Sequence, residues 1–327
     1  MRGGKSMRRS GDIEAELPFT AVRFLMNGLG ALPRPLAVKA GIALGQSLYR
    51  LGKGARRAAE RNVDLAFPEL DQLERQRLVR KSFRYAGRLV GEFSQLRRAS
   101  KETLREMTDF DQAGIDHAKN AMAEGRGVII PSCHLGPWEL ALVAWSALQY
   151  PIDIIARPFK DPRVNAYMEG IRTRFGNRLI PEKGAIRKAL PILQQGGTVA
   201  IGVDVNMPRD KGVFVPFFGR LACTTPGLAV LALRSDALVV PVCSVWDEAR
   251  KRYFFHVEPP VSLLRTGDEV RDVEVNTARY TAVIEKMVRT YPEQYLWMHR
   301  RWLTRPQGEA ELYDSEAKYE IAATKTA

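Results

Sequence analysis

Cysteine is scarce. Cys133, Cys223 and Cys243 are the only three in 327 residues, and none sits in a CxxC or other metal-ligand spacing. An odd, scattered set argues against a disulfide framework and against structural zinc, and it points to a reducing compartment. Long apolar runs are missing too. The apolar stretch over 17–33 is broken by Arg23, and Arg34 and Lys39 separate it from the next, over 40–49. Neither supplies the ~18–20 uncharged residues of a spanning helix. Asp12, Glu14 and Glu16 stand just ahead of the first stretch, which is not the layout of a signal peptide. There is no GxSxG nucleophile elbow, no internal repeat and no low-complexity linker.

Acidic residues are outnumbered. Against 50 Lys and Arg stand 37 Asp and Glu, a formal net charge of +13. The excess is uneven: residues 1–61 hold twelve basic and four acidic side chains, a surplus of +8. Such a face attracts polyanions, among them nucleic acid and anionic lipid headgroups. The basic residues alternate here with apolar stretches. That pattern suits a segment lying in a membrane interface, where apolar burial and attraction to anionic lipid add. A nucleic-acid-binding protein would instead line a groove with Lys, Arg and stacking aromatics. The reading therefore favours a membrane surface and no nucleic-acid partner.

Residues 1–12 read as a loose basic tail, and 17–125 carry helix formers at helical spacing. Pro68 is expected to open a helix. After Gly125 the texture changes. Short apolar runs at 127–132, 152–157, 197–204, 237–245 and 253–258 alternate with helical patterns at 137–149, 161–175, 184–194, 226–235 and 275–290. Alternation of this kind predicts an α/β fold, with a mainly parallel central sheet flanked by helices. The expected division is a basic apolar membrane-associated segment over 1–60, an α/β domain over 61–313 and a flexible tail over 314–327.

In parallel sheets, sites lie beyond the carboxyl ends of strands. The run over 127–132 is followed by Cys133-His134-Leu135-Gly136-Pro137-Trp138-Glu139. Gly136 suits a turn and Pro137 the first position of a helix. On one continuous helix His134 and Glu139 would lie about 140° apart; a turn between them lets them meet. A carboxylate on one imidazole nitrogen fixes the tautomer and frees the other nitrogen to take a proton from a hydroxyl. His134 is thus a candidate general base and Glu139 its partner. A Cys133–His134 pair is disfavoured, because adjacent residues of extended backbone point to opposite faces. Arg157 ends the second run, where its fixed fork of donors suits a phosphate or an oxyanion. Asp204 ends the third, where it would orient Arg157 or a substrate hydroxyl. Phe214, Phe217 and Phe218 lie between Gly212 and Gly219; aromatics at such spacing are more often ordinary core, and they are also a candidate acyl-chain patch. Arg300 and Arg301 sit among the aromatics of 295–302, a candidate headgroup edge. His117, His256 and His299 are read as structural.

Together these segments resemble the late lauroyl and myristoyl acyltransferases of bacterial lipid A biosynthesis, a branch of the lysophospholipid acyltransferase-like enzymes. The resemblance runs from Phe24 to Tyr313. It rests on AAERNVDLAFPEL (58–70), HLGPWE (134–139), ARP (156–158), VD before PRDKGVFVPFFGRLACTTPG (203–227), VVPV (239–242) and YLWMHRRWLTRPQGE (295–309). It implies a protein at the cytoplasmic face of the bacterial inner membrane. It implies transfer of a fatty acyl chain from acyl carrier protein, or less often coenzyme A, to a hydroxyl of an anionic glycolipid such as a lipid A precursor, without metal or other cofactor. His134 matches the family's catalytic histidine and Glu139 its partner; Arg157 and Asp204 match positions lining the site. One departure is Asp204-Val205, where relatives often carry Asp-Gln. Lysophospholipids and other glycolipids are alternative acceptors.

Overall fold

The computed structural model describes residues 19–313. Four helices open the described chain: α1 (Phe19–Ala31), α2 (Arg34–Leu51), α3 (Lys53–Ala66) and α4 (Gln72–Leu96). Helix α4 begins later than Pro68 predicts. Asp71 accepts a hydrogen bond from the Glu74 backbone while Glu74 accepts from that of Asp71. This reciprocal cap satisfies two of the donors a helix start leaves orphaned, and Pro68 lies in the turn before it.

Helices α2 and α4 approach at backbone distance. Gly41 and Gly45 face Gly87 and Gly91, and a Cβ on Gly91 would stand 2.6 Å from the Ala37 carbonyl oxygen. The buried side of α2 is therefore Ala37, Val38, Gly41 and Gly45. Leu36, Leu44, Leu48 and Leu51 stay exposed, as does Phe24 on α1. Among the described residues no helix is long and apolar enough to cross a membrane. The division expected at residue 60 falls inside α3. The tails 1–12 and 314–327 lie outside the described residues.

The remainder alternates. In order come α5 (Lys101–Met107), β1 (Thr108–Phe110), α6 (Gln112–Ala123), β2 (Val128–Ser132), α7 (Trp138–Leu148), β3 (Asp153–Ala156), α8 (Pro162–Arg172), β4 (Arg178–Pro181), α9 (Ala185–Gln194), β5 (Thr198–Gly202), β6 (Val213–Phe217), β7 (Arg220–Thr224), α10 (Gly227–Ser235), β8 (Leu238–Val239), β9 (Val242–Asp247), β10 (Arg252–Val257) and α11 (Glu269–Thr290). Five strands form the central sheet in the order β4-β3-β5-β2-β8, all parallel. The expected α/β architecture is present. A second sheet, β1-β10-β9, is mixed.

Four elements differ from the sequence reading. Strand β4 lies in none of the expected runs and pairs with β3 at the sheet edge. The run over 237–245 is two strands in two sheets, because Pro241 lacks the N–H a continuous ladder needs and the chain crosses between sheets there. Strand β1 interrupts the helical stretch to pair with β10. The segment GVFVPFFGR is a hairpin of β6 and β7. Its two-residue turn is Phe218-Gly219, with φ of 52° and 70°. Positive φ at both positions is the turn geometry that matches strand twist.

The glycine contact is testable. A methyl group on Gly45 meets the Phe83 carbonyl and the backbone of Gly87, and overfilling a close-packed contact costs about 1–3 kcal/mol. Gly45→Ala is expected to lose stability of that order in denaturant unfolding. A variant as stable as the wild type would mean that α2 and α4 separate freely.

Candidate active site

Strands β2 and β5 are neighbours in a parallel register offset by 70 residues, from Val128↔Thr198 to Ser132↔Gly202. The ladder continues one bond further, from the Val203 N–H to the Ser132 carbonyl at 3.0 Å. The next residues keep the same offset, and they are His134 and Asp204. The Asp204 carboxylate accepts from the His134 backbone N–H at 2.8 Å and from His134 Nδ1 at 2.9 Å. An ionised carboxylate only accepts, so Nδ1 carries a proton, and whenever the imidazole is neutral the lone pair lies on Nε2. The His134 side chain is 32% exposed and that of Asp204 1%. The anchor is buried and the imidazole reaches the surface of a cavity.

Burial alone would raise the Asp204 carboxyl. The positive His134 and its two N–H donors outweigh burial and hold it well below the usual carboxylate range. Burial pulls the His134 imidazole down. Asp204 outweighs that pull, Glu139 adds to it in the same sense, and His134 ends above its ordinary 6.5. Burial, then Asp204 and Cys243, push the Cys133 thiol well up. A thiolate nucleophile is disfavoured there.

Glu139 does not hold His134, as the HxxxxE spacing had predicted. Both of its oxygens go to Arg172 in the last turn of α8, at 2.9 and 2.5 Å. Gly136 at φ +60° turns the chain, and α7 then carries Glu139 toward α8 instead of back over the imidazole. The planar guanidinium satisfies the carboxylate bidentately. Glu139 acts on His134 only as a nearby charge.

A segment at the carboxyl end of the chain clasps both loops. The Gln294 carbonyl accepts from the Gly136 N–H, and the Leu296 N–H donates to the His134 carbonyl. The Asn206 N–H donates to His299 Nε2, and the Asn206 side chain exchanges two bonds with Thr304. Arg301, buried, donates to the carbonyls of Val205 and Cys223 and to Thr224 Oγ1.

His134, Glu139, Arg157 and Arg172 line one cavity of about 570 Å³, together with Met207 and Thr304. A second cavity of about 970 Å³ lies between α1, α4, α7 and α8. Val22, Met26, Leu89, Phe93, Leu140 and Met168 make its wall largely apolar. Trp138, Glu139 and Phe159 line both. The Trp138 ring meets that of His134 edge-on, with centroids 4.8 Å apart.

Residues 12–304 match the model of the family described as bacterial lipid A biosynthesis acyltransferase. The chain belongs to that family. It is 29% identical to the lipid A biosynthesis lauroyltransferase of Escherichia coli (strain K12) over 283 residues, 85% of this chain and 88% of that one. It is 28% identical to the palmitoleoyltransferase of the same strain over 302 residues, 91% and 90%. The myristoyltransferase, also of that strain, is 25% identical over 278 residues, 85% and 84%. The protein is thus an O-acyltransferase of this type.

Several candidate residues of the acyltransferase fall elsewhere. Phe217 and Phe218 are buried in the main core with Phe67, Trp297 and Trp302, and they line neither cavity. Phe218 donates its N–H to Glu285. Gly219 closes the hairpin turn. The side chains expected there as an acyl-chain patch form an aromatic cluster with Phe67, Trp297 and Trp302. Arg300 lies 5.9 Å from the Tyr313 ring centroid, away from both cavities. His256 bonds the Tyr291 hydroxyl, and the His117 side chain lies outside the described residues. Arg172 and Phe159 were missed. Neither stands in a motif, and only the tertiary approach of α8 to α7 brings them in.

The two carboxylates are separable by titration of His134. Without ionised Asp204 the imidazolium loses its partner, so Asp204→Asn is expected to lower the His134 pKa, read by NMR. Glu139→Gln is expected to lower it less. A larger shift from Glu139→Gln would make Glu139 the partner.

Proposed function

We propose that this acyltransferase moves a fatty acyl chain from a thioester of acyl carrier protein, or of coenzyme A, to a hydroxyl of a lipid A precursor. The observation that carries this reading is the His134–Asp204 pair, which opens on a cavity of mixed lining that meets a more apolar one at Trp138 and Phe159. The pair supplies a base and the apolar cavity a place for an alkyl chain. The names of the lauroyl, palmitoleoyl and myristoyl relatives support both the reaction and the acceptor.

In this mechanism His134 Nε2 takes the proton from the acceptor hydroxyl as its oxygen attacks the thioester carbonyl. Asp204 keeps Nδ1 protonated and stabilises the imidazolium that forms. Arg157 lines the same cavity and offers its guanidinium to the tetrahedral oxyanion. The Gly136 N–H is not available for that task, because it is bonded to Gln294. Collapse breaks the C–S bond, the imidazolium returns the proton to the thiolate, and ester and thiol leave. Donor and acceptor are both bound before chemistry, with no covalent acyl-enzyme.

The setting we propose is the cytoplasmic face of the bacterial inner membrane. Phe24, Leu36, Leu44, Leu48 and Leu51 are exposed among Arg23, Lys39 and Arg50, a composition suited to an anionic lipid surface. The net positive charge favours encounter with an acidic donor protein and a phosphorylated acceptor.

The test supplies lauroyl-loaded acyl carrier protein with two acceptors in parallel: a tetra-acylated, phosphorylated glucosamine disaccharide and a lysophospholipid. Mass spectrometry is expected to show acyl gain on the disaccharide. His134→Ala is expected to lose about 10²–10⁴ in rate. Activity should fall as pH drops through a His134 pKa above 6.5, because only neutral imidazole accepts the proton. Transfer to the lysophospholipid alone would overturn the acceptor, and equal transfer by His134→Ala would overturn the base.

A further inference from the structure

The two cavities differ in character and share a narrow border. Among the described residues three line both: Trp138, Glu139 and Phe159. Trp138 is braced by the His134 ring, and Glu139 is held bidentately by Arg172. Phe159 is different. It belongs to the loop between β3 and α8 and is half-buried. Its backbone N–H donates to Asn165 Oδ1 at 3.1 Å, which ties the loop to the first turns of α8. Its ring centroid lies 5.9 Å from the Arg172 guanidinium carbon. One aromatic ring thus stands beside a neutralised ion pair and between an apolar chamber and a chamber that opens on a base.

A base placed to deprotonate an acceptor hydroxyl will also deprotonate water. Both reactions begin from the same thioester. In transfer, the acceptor O–H gives its proton to His134 Nε2, the O–C bond forms, the C–S bond breaks and the thiolate takes the proton back, leaving ester and thiol. In hydrolysis, water takes the acceptor's place and the products are carboxylic acid and thiol. The ratio between them depends on how much water reaches the carbonyl, since closing a site to water suppresses hydrolysis of a reactive group.

We propose that Phe159 is a specificity-determining residue that selects the acceptor over water, by closing the border between the two cavities around the acyl chain. The inference rests on the acyl-transfer reading above and adds to it a division of labour. The more apolar chamber holds the chain, and the chamber of mixed lining, with His134, Arg157, Asn206 and Thr304 on its wall, admits the acceptor. The carbonyl is exposed only at the border, where the Phe159 ring fills the space that water would otherwise occupy. The Glu139–Arg172 pair gives the ring a fixed neighbour and joins α7 to α8 across the same border.

The experiment measures partition. Lauroyl-loaded acyl carrier protein and the tetra-acylated disaccharide are given to wild type, Phe159→Ala and Phe159→Leu. Free fatty acid and acylated disaccharide are quantified in the same reaction. In wild type, transfer is expected to dominate. Phe159→Ala is expected to raise the ratio of hydrolysis to transfer by on the order of tenfold, equivalent to about 1.4 kcal/mol of lost discrimination, while thioester consumption persists. Phe159→Leu keeps an apolar filling and is expected to fall between the two. A role confined to loop structure would lower both products together and leave their ratio unchanged. Equal ratios in all three proteins, with unaltered melting temperatures, overturn the proposal. A wild type that consumes no thioester overturns the acyl-transfer reading itself, and the proposal with it.

Discussion

The parallel register of β2 on β5 is the constraint on which the site depends. Side chains that leave adjacent strands at matched positions are brought together by the backbone ladder before any side-chain chemistry acts. Here the offset of 70 residues carries past the last ladder bond, and His134 and Asp204 face each other with no search. A slip of one residue would turn every side chain of β2 to the other face of the sheet. The buried apolar residues Val128, Ile129 and Ile130 make such a slip costly. Core packing of the strand therefore enforces the geometry of the His134–Asp204 pair.

The reading of the sequence reached His134 through this logic, since a polar residue just past an apolar strand is placed at the sheet's carboxyl edge. It reached Asp204 by the same rule but assigned its direction wrongly. The carboxylate nearest in sequence, Glu139, took the role that the one 70 residues away performs. Local spacing cannot report strand order. Once β5 is known to neighbour β2 the correct pair follows; with only the alternation of strands and helices in view, it does not. Alternation was enough for the parallel sheet apart from β4 and for helices α7 to α10 within a few residues, while α11 begins six residues before the expected 275. It was not enough for the second sheet or the β6–β7 hairpin. There the signal is a Phe-Gly turn with both residues at positive φ, and an aromatic at such a position is easily read as a ligand contact.

The clasp at 294–304 explains the aromatic, arginine-rich motif without assigning it to a substrate. Arg301 is nearly fully buried and spends its donors on the carbonyls of Val205 and Cys223 and on Thr224. A buried cation is costly unless it is well satisfied: burial lowers the Arg301 pKa, and the nearby Tyr295 and Asp204 oppose that pull. Arg300, its neighbour in sequence, points instead to Tyr313. Two adjacent arginines thus divide between a core anchor and a contact with the Tyr313 ring, a distinction invisible in composition.

The amino-terminal helices follow a different economy. On α2 the small residues are buried and the leucines are exposed, the reverse of an ordinary amphipathic core helix. Close approach of α2 to α4 explains the first half, because glycine lets backbones touch where leucine would hold them apart. The second half follows from it. Once the inner face is given to glycine and alanine, the bulk left on α2 must point outward, and water is a poor solvent for Leu36, Leu44, Leu48 and Leu51. The same helices wall the apolar cavity through Val22 and Met26 of α1. Helix α4 joins the two features, since it packs on α2 through the glycines and walls the chamber through Leu89 and Phe93.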